Sequence, residues 1–551
     1  MNVLDWAVVI VYLTLIVYFA NVYGRSQGNI RQYFLAGNRI RWWQSGFSAM
    51  ATQLGAISFV SAPAFVALAK DGGLKWLCYE FGVPLGILFV VIVIVPVLHR
   101  GRHISIYEYL EERFDRQTRI LVSFLFQLGR ALATAVSVFA GGLILSTALT
   151  IPTHAAILVI GSITILYDVL GGMRIVILSD VLQMGIIVIG FLVCGGVALY
   201  LVGWTEGWAA LPPDRFRILD FRHFGLSETG AYAFWPMTLG GIFLYASYYG
   251  CDQSQMQRQL SVANLKDAKK SLLLNAFGRF PLVFFYCIMG VFVGALVLSP
   301  EGLQTIGATL GMQPSAVSNT LARDPDRMLP MFILSYLPHG IIGLIFVAIM
   351  SALMSSLDSA INSLSAVTMR DFYQPFLRPS EKESHYLKAS KLITASWGLF
   401  CIAAALAFAT ANESARHTTI VLINAVGSLL YGPILAAFAL GIISKSLRAR
   451  SIKVGILAGV VGNVGIWLMS DLSWLWWNVT GFLLVVVFAF TNAILDRTPI
   501  RFRNDRIAKL TIDRSELLNW GSDRAAVLFY VFFIIAVCWT VQNGLITGIR
   551  G

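Results

Sequence analysis

Charge is what this sequence has least of: Asp, Glu, Lys and Arg make up only 13% of its 551 residues, against roughly 25% in an ordinary soluble domain. Hydrophobic residues fill 57%, with 36 Phe and 14 Trp, and no soluble-looking block exceeds a few dozen residues, so one membrane domain is expected. Cysteine is scarce too. The six Cys stand singly, mostly within or beside apolar runs as at Cys194, Cys287 and Cys538, which argues against a disulfide framework or a zinc site. The sequence has no Walker motif, no nucleotide-binding glycine pattern and no His/Glu metal spacing, and its seven His are scattered. No enzyme and no cofactor are therefore expected. A cleavable signal peptide is not expected either, because Asp5 replaces a basic leader and Arg25, Arg31, Arg39 and Arg41 follow the first apolar run.

A formal charge of +12 raises nucleic acid as a partner, but the basic residues gather in short connections between apolar runs, as orientation signals do. The bilayer is the expected partner, with no nucleic acid and no obligatory protein. Spans are expected near 4–23, 46–69, 76–98, 121–149, 152–168, 176–202, 233–250, 270–297, 328–367, 387–410, 417–443, 451–470, 473–490 and 525–546, about fourteen in all, since roughly 20 residues cross the hydrocarbon layer. Basic connections alternate with less basic ones: Arg25 to Arg41, the 99–120 loop, Arg174, the Arg258/Lys266/Lys269/Lys270 cluster, 370–391, the Lys445/Arg448/Arg450/Lys453 cluster and 497–524. The positive-inside rule assigns these to the cytoplasm and both termini to the outside of a multi-pass cell-membrane protein. Arg215, Arg217 and Arg222 in the external 203–232 connection are a local exception.

Several spans carry more polarity than lipid-filling helices need. Segment 46–69 contains Thr52, Gln53, Gly55, Ser58, Ser61 and Pro63, and segment 341–367 carries a run of Ser with Asp358 and an Asn on consecutive turns. Backbone breaks inside a membrane are tolerated where protein or a hydrated site surrounds them, and a transporter that binds ions between a broken helix and a second helix has this content. Small residues that merely let helices pack closely would not account for Asp358.

Sodium is a hard cation that is satisfied by hydroxyl and carbonyl oxygens. Ala352 precedes Ser356 by one helical turn, so its carbonyl and that hydroxyl fall on one face, with Ser355 beside them. Carbonyls freed by a break near Ala51 to Leu54 would complete the shell. The bland alternative is that each Ser bonds back to the carbonyl one turn earlier. Asp180, early in its span, would serve a second cation or the cytoplasmic exit, or cap its helix at the interface. Arg130 lies well inside an apolar span and Arg279 nearer a segment end. Either would hold a substrate carboxylate with paired donors, or form an internal ion pair with Glu80 or Asp358, or snorkel. Tyr245, Tyr248 and Tyr249, next to Asp252 and Gln253, read as a polar pocket wall or as interfacial tyrosines. Without a nucleotide site, uphill transport must draw on an ion gradient, where one charge across 100 mV supplies about 2.3 kcal/mol.

Ordered motifs then run through most of the chain: YFLAGNRI (33–40), TQLGAISF (52–59), IYEYLEERF (106–114), YDVLGGMRIVILSDVLQ (167–183), DQSQMQRQLSVANLKDAKKS (252–271) and MSSLDSAINSLSAVTMRDFY (354–373). In these the sequence resembles the sodium/solute symporters. The resemblance implies an all-α polytopic membrane fold with an inverted five-plus-five helix repeat working by alternating access. The repeats would lie at 46–202 and 233–443, after a leading helix and connection over 1–45 and before three more helices over 444–551 with a basic 491–524 loop. It implies sodium as the co-transported ion, held by Ala51, Leu54, Ala352, Ser355 and Ser356. Asp180 and Ser359 match a second cation site of some members, but Asp358 stands where a serine is found in the sialic acid transporters. Substrate contacts would come from Ser58, Glu80, Tyr245, Tyr248, Arg279 and Asn424. Ser58 replaces a glutamine and Arg279 a lysine of a galactose transporter, while Arg130 resembles the arginine that holds a sialic acid carboxylate. The expected solute is therefore a small polar one such as a carboxylate-bearing sugar, with a neutral sugar, amino acid or vitamin as the alternative. A passive channel or facilitator would instead need a continuous hydrated pore, and a solute sensor would need an output domain longer than 491–524.

Overall fold

A computed structural model describes residues 2–25, 27–149, 151–227, 230–411, 419–496 and 521–550; most of the basic loop expected at 491–524 lies outside them. Among the described residues the protein is all-helical apart from one isolated bridge between Ile40 and Val262. Eleven helices among the described residues are long and apolar enough to cross a membrane, or twelve when a bent pair is counted as one more span. All six cysteines are free and buried.

The helices that matter for the site are α1 (Val3–Gly24), α2 (Trp42–Gln53), α3 (Ala56–Ala67), α4 (Arg116–Leu149), α5 (Thr153–Val202), α6 (Gly241–Cys251), α7 (Gln253–Leu260), α8 (Leu265–Leu298), α9 (Ile341–Val367) and α10 (Thr419–Ile443). Helix α5 has 50 residues, about 75 Å at 1.5 Å per residue, more than twice the ~30 Å hydrocarbon layer. It is divided at Gly172, which has φ 55° and ψ −159°. A Cβ there would meet the Tyr33 carbonyl and ring at 2.7 Å, so glycine both permits the turn and lets two segments touch. The sequence segments 152–168 and 176–202 flank this break.

The break expected in 46–69 is present. Helix α2 stops at Gln53, Leu54 leaves helical geometry at φ −89° and ψ 42°, and α3 resumes at Ala56, the two halves being bent by 53°. The far end of α3 explains the Arg215 exception. Arg215 donates to the Ala69 carbonyl at 2.7 Å and the Val66 carbonyl at 3.4 Å, capping the orphan carbonyls of a helix end rather than setting orientation.

At the centre lies α9, of whose 27 residues only Ile341, Leu344 and Ser356 are not buried. Ser356 is thus the one polar side chain of that helix that reaches open space. Helix α7 is stranger: all eight of its residues are buried although most are polar. By contrast the outer faces carry exposed Ile10, Leu15, Leu457, Val461, Phe529 and Phe532, surfaces that would drive aggregation in water and that suit lipid tails.

Candidate cation and solute site

The α2–α3 break faces the middle of α9. The Ser355 hydroxyl lies 3.0 Å from the Ala352 carbonyl and 3.4 Å from that of Ala51. The Ser356 hydroxyl lies 3.2 Å from the Ala352 carbonyl and 3.5 Å from that of Thr52. Four of the five residues expected to hold sodium therefore converge, with the Thr52 carbonyl beside them, and Leu54 sits at the break itself. Both serines do bond back to Ala352, as the bland reading had it, but they also reach across to another helix. The oxygens that converge here are backbone carbonyls and serine hydroxyls, all of them neutral. Such a set suits a monovalent ion that must also leave.

Gly55 keeps this space open. A Cβ on it would fall 2.5 Å from the Ser356 hydroxyl and 3.5 Å from the Ala352 carbonyl, although its φ of −54° is one any residue can adopt. Gly55→Ala is expected to weaken the sodium dependence of uptake about tenfold, as overpacking of a tight site does, while leaving surface expression intact. An unchanged sodium titration would exclude this packing.

Next to the break opens a cavity of about 120 Å³. Its wall includes Thr52, Gln53, Gly55, Ser58, Arg130, Tyr248, Ser356, Asn424 and Tyr431. The cation oxygens and the solute cavity thus share Thr52, Gly55 and Ser356. Of the residues expected to touch solute, Ser58, Arg130, Tyr248 and Asn424 line it.

Glu80, Arg279 and Tyr245 do not line it; they form a closed group behind it. Arg279 donates to both Glu80 oxygens, at 2.6 and 3.0 Å, and to the Tyr245 hydroxyl at 2.9 Å. This is the internal ion pair with Glu80, with the planar fork well matched to the carboxylate. Its link to the cavity is indirect: Tyr79 packs on Tyr245 with ring centroids 4.9 Å apart and its hydroxyl reaches the Asn424 side chain at 3.4 Å. Arg130 pairs with neither Glu80 nor Asp358. Its guanidinium stands 3.5 Å from the Asp252 carboxylate.

The sequence reading groups Arg258 with a cytoplasmic basic cluster; the structure overturns that placement. Arg258 is fully buried on α7. It donates to the Ser48 hydroxyl at 2.6 Å, to the Thr52 hydroxyl at 2.6 Å and to Asp180 at 2.8 Å, and also to the Ser359 hydroxyl and the Ser254 carbonyl. Asp180 further accepts from Ser48 at 2.5 Å. A tethered guanidinium thus lies between Asp180 and Ser359, two of the residues expected at a second cation site. The third, Asp358, accepts from the Tyr167 hydroxyl at 2.5 Å and from Ser359 at 3.1 Å. Asp168 completes the buried acidic group, accepting from Asn362 at 2.9 Å.

Comparison with known proteins agrees with this geometry. The model of the Sodium:solute symporter family matches residues 33–463. The chain belongs to the sodium:solute symporter family. As a symporter it is similar, at 27% identity over 93% of its own length and 97% of the relative's, to a sodium/sialic acid symporter of Aliivibrio fischeri. It is 28% identical to a sodium/sialic acid symporter of Proteus mirabilis, covering 89% and 95% of the two chains. It is also 28% identical to the human sodium-coupled monocarboxylate transporter 1, covering 79% and 68%. A solved Na+-coupled sialic acid symporter in a substrate-bound outward-open state superposes with a TM-score of 0.76 at 24% identity, over 90% of this chain and 98% of that one. The all-α polytopic fold is therefore of the inverted-repeat symporter type, and the protein is a sodium-coupled solute symporter.

Proposed function

We propose that this symporter carries a small organic anion, with sodium held by Ala51, Leu54, Ala352, Ser355 and Ser356 and the solute's carboxylate held by Arg130. The observation that carries this reading is the position of Arg130: a largely buried guanidinium on the wall of the same cavity that Ser356 and Gly55 border. Ser58, Tyr248 and Asn424 would supply neutral polar contacts, while Glu80, Tyr245 and Arg279 act at one remove by fixing Tyr79. Sodium joins the broken helix to α9 and so favours the state with an assembled cavity, which is the differential stabilisation that coupling requires. Loss of sodium on the low-sodium side loosens the same wall and frees the solute.

A sialic acid or another carboxylate-bearing sugar is the first substrate class, in line with two of the relatives. A compact monocarboxylate is the second, favoured by a cavity of about 120 Å³, well below the several hundred typical of larger ligands. At Asp180 and Ser359 the cation is the Arg258 guanidinium and both Asp358 oxygens are engaged, by Tyr167 and by Ser359, so a single sodium per cycle is the simplest stoichiometry. Dividing α5 at Gly172 and counting Pro236–Cys251 as a span brings the total to fourteen. With an even number of spans both termini share one face, which the positive-inside rule makes the outer one, and the two repeats are taken at 46–202 and 233–443.

Uptake of labelled sialic acid, lactate, glucose and proline into proteoliposomes, under an inward sodium gradient and then with potassium instead, tests the proposal. Sodium-dependent uptake of an acid, reduced at least about thirtyfold in Arg130→Ala, is expected, since losing a charged hydrogen-bond partner costs about 2–5 kcal/mol. Sodium-driven uptake of a neutral solute that is indifferent to Arg130 would reduce that arginine to a structural role.

A further inference from the structure

The two buried arginines beside the cavity are paired in different ways. Arg279 and Glu80 meet through two hydrogen bonds, at 2.6 and 3.0 Å, that engage both carboxylate oxygens, although the Arg279 Nη1 is itself buried without a partner. Arg130 and Asp252 approach only to 3.5 Å, and no hydrogen bond joins them: the Arg130 Nε and the Asp252 Oδ2 are both buried without a hydrogen-bond partner. The other Asp252 oxygen is committed elsewhere, accepting from the Ser254 amide at 2.8 Å and the Ser254 hydroxyl at 2.6 Å as the cap of α7. Arg130 also borders a second, narrower cavity together with Asp252, Ser247 and Tyr431, so the guanidinium stands between the solute cavity and its own counter-ion.

We infer that Asp252 is an internal competitor for Arg130, which the carboxylate of the solute displaces and which pairs again with the arginine once the solute has left. The inference rests on the proposed anion reading. A guanidinium buried this far needs a counter-ion in every state of the cycle. In the empty carrier Asp252 supplies it through a single loose contact. When a solute carboxylate arrives, two anions face one cation, and the solute, able to use the fork bidentately, takes it. Asp252 then sets how strongly an acid must bind to be carried, and it neutralises the empty cavity during the return step. Its place between α6 and α7, one residue from each, lets a small shift of Asp252 reach Arg258, four residues beyond Ser254 on the same short helix.

Asp252→Asn keeps an acceptor for the Ser254 cap and removes the charge. In proteoliposomes, with labelled sialic acid and labelled lactate as probes, it is expected to lower the KM of the transported acid about tenfold, as removal of a like charge from a buried site does. It should also slow net uptake relative to exchange, because only net uptake requires the empty carrier to return. Asp252→Glu, whose longer carboxylate closes the gap to Arg130, is expected to raise KM several-fold. This carries the test if Asp252→Asn is poorly inserted. A KM unchanged or raised in Asp252→Asn, or unchanged or lowered in Asp252→Glu, with uptake still lost in Arg130→Ala, overturns the inference while sparing the anion reading. Full acid uptake in Arg130→Ala overturns both.

Discussion

Arg258→Met is expected to leave the protein badly destabilised and without transport. The methionine occupies a similar length of space, so packing loss is small and the effect is electrostatic. Five groups on four segments lose their donor at once: Ser48, Thr52, Asp180, Ser254 and Ser359. Asp180 then remains fully buried with only the Ser48 and Thr52 hydroxyls to support its charge. Breaking a buried pair by removing one partner typically costs about 3–5 kcal/mol, a large part of the ~5–15 kcal/mol that holds a folded protein together. A melting curve in detergent, followed by fluorescence, should show the transition shifted down sharply or lost. The double variant Arg258→Met with Asp180→Asn should recover a substantial part of that stability, because it removes the stranded charge as well. A single variant that melts like the wild type would show that the guanidinium is not the counter-ion of Asp180.

Arg258 is also where the sequence misleads most. Basic residues in short connections ordinarily mark the cytoplasmic face, and Lys266, Lys269 and Lys270 a few residues on strengthen that reading. What distinguishes Arg258 is the company it keeps in space: Ser48 and Thr52 some 200 residues earlier and Ser359 about 100 later. Local patterns do not carry such contacts. A weak signal was nevertheless present, since QSQMQRQL is polar yet uncharged apart from the arginine, unlike an exposed connection. The broken helix was more legible, because Gly55, Ser58 and Pro63 at close spacing are costly inside a membrane unless a break is intended. The long apolar runs were legible too, but they read as fourteen spans where eleven or twelve helices qualify among the described residues. Two adjacent runs proved to be one helix turned at Gly172, which hydropathy alone does not reveal. Among the arginines, the pairing of Arg279 with Glu80 was one of the readings open from sequence, whereas Asp252 as the partner of Arg130 was not, although Asp252 closely follows the three tyrosines in the chain.

Removing both hydroxyls, in Ser355→Ala with Ser356→Ala, is expected to abolish sodium-driven uptake while the protein remains folded. The two serines are small and the change removes only an oxygen each, so the helix keeps its shape and alanine favours it. The ion loses two of its few neutral ligands. A hydrogen bond or ligand to a charged partner is worth about 1.5–3 kcal/mol, so each single substitution should raise the sodium concentration for half-maximal uptake by roughly 10- to 100-fold. The double variant should then fail at any accessible sodium concentration. Thermal stability separates this from misfolding, since a ligand that binds only the folded state raises its melting temperature. Wild-type protein should melt higher in sodium than in potassium, and the double variant should melt at the same temperature in both. Ser356→Ala should weaken solute binding more than Ser355→Ala, because Ser356 is part of the cavity wall whereas Ser355 is buried behind it. Equal sodium stabilisation of the wild type and the double variant would place the coupled ion elsewhere, and the oxygens between α2 and α9 would then be a packing contact only.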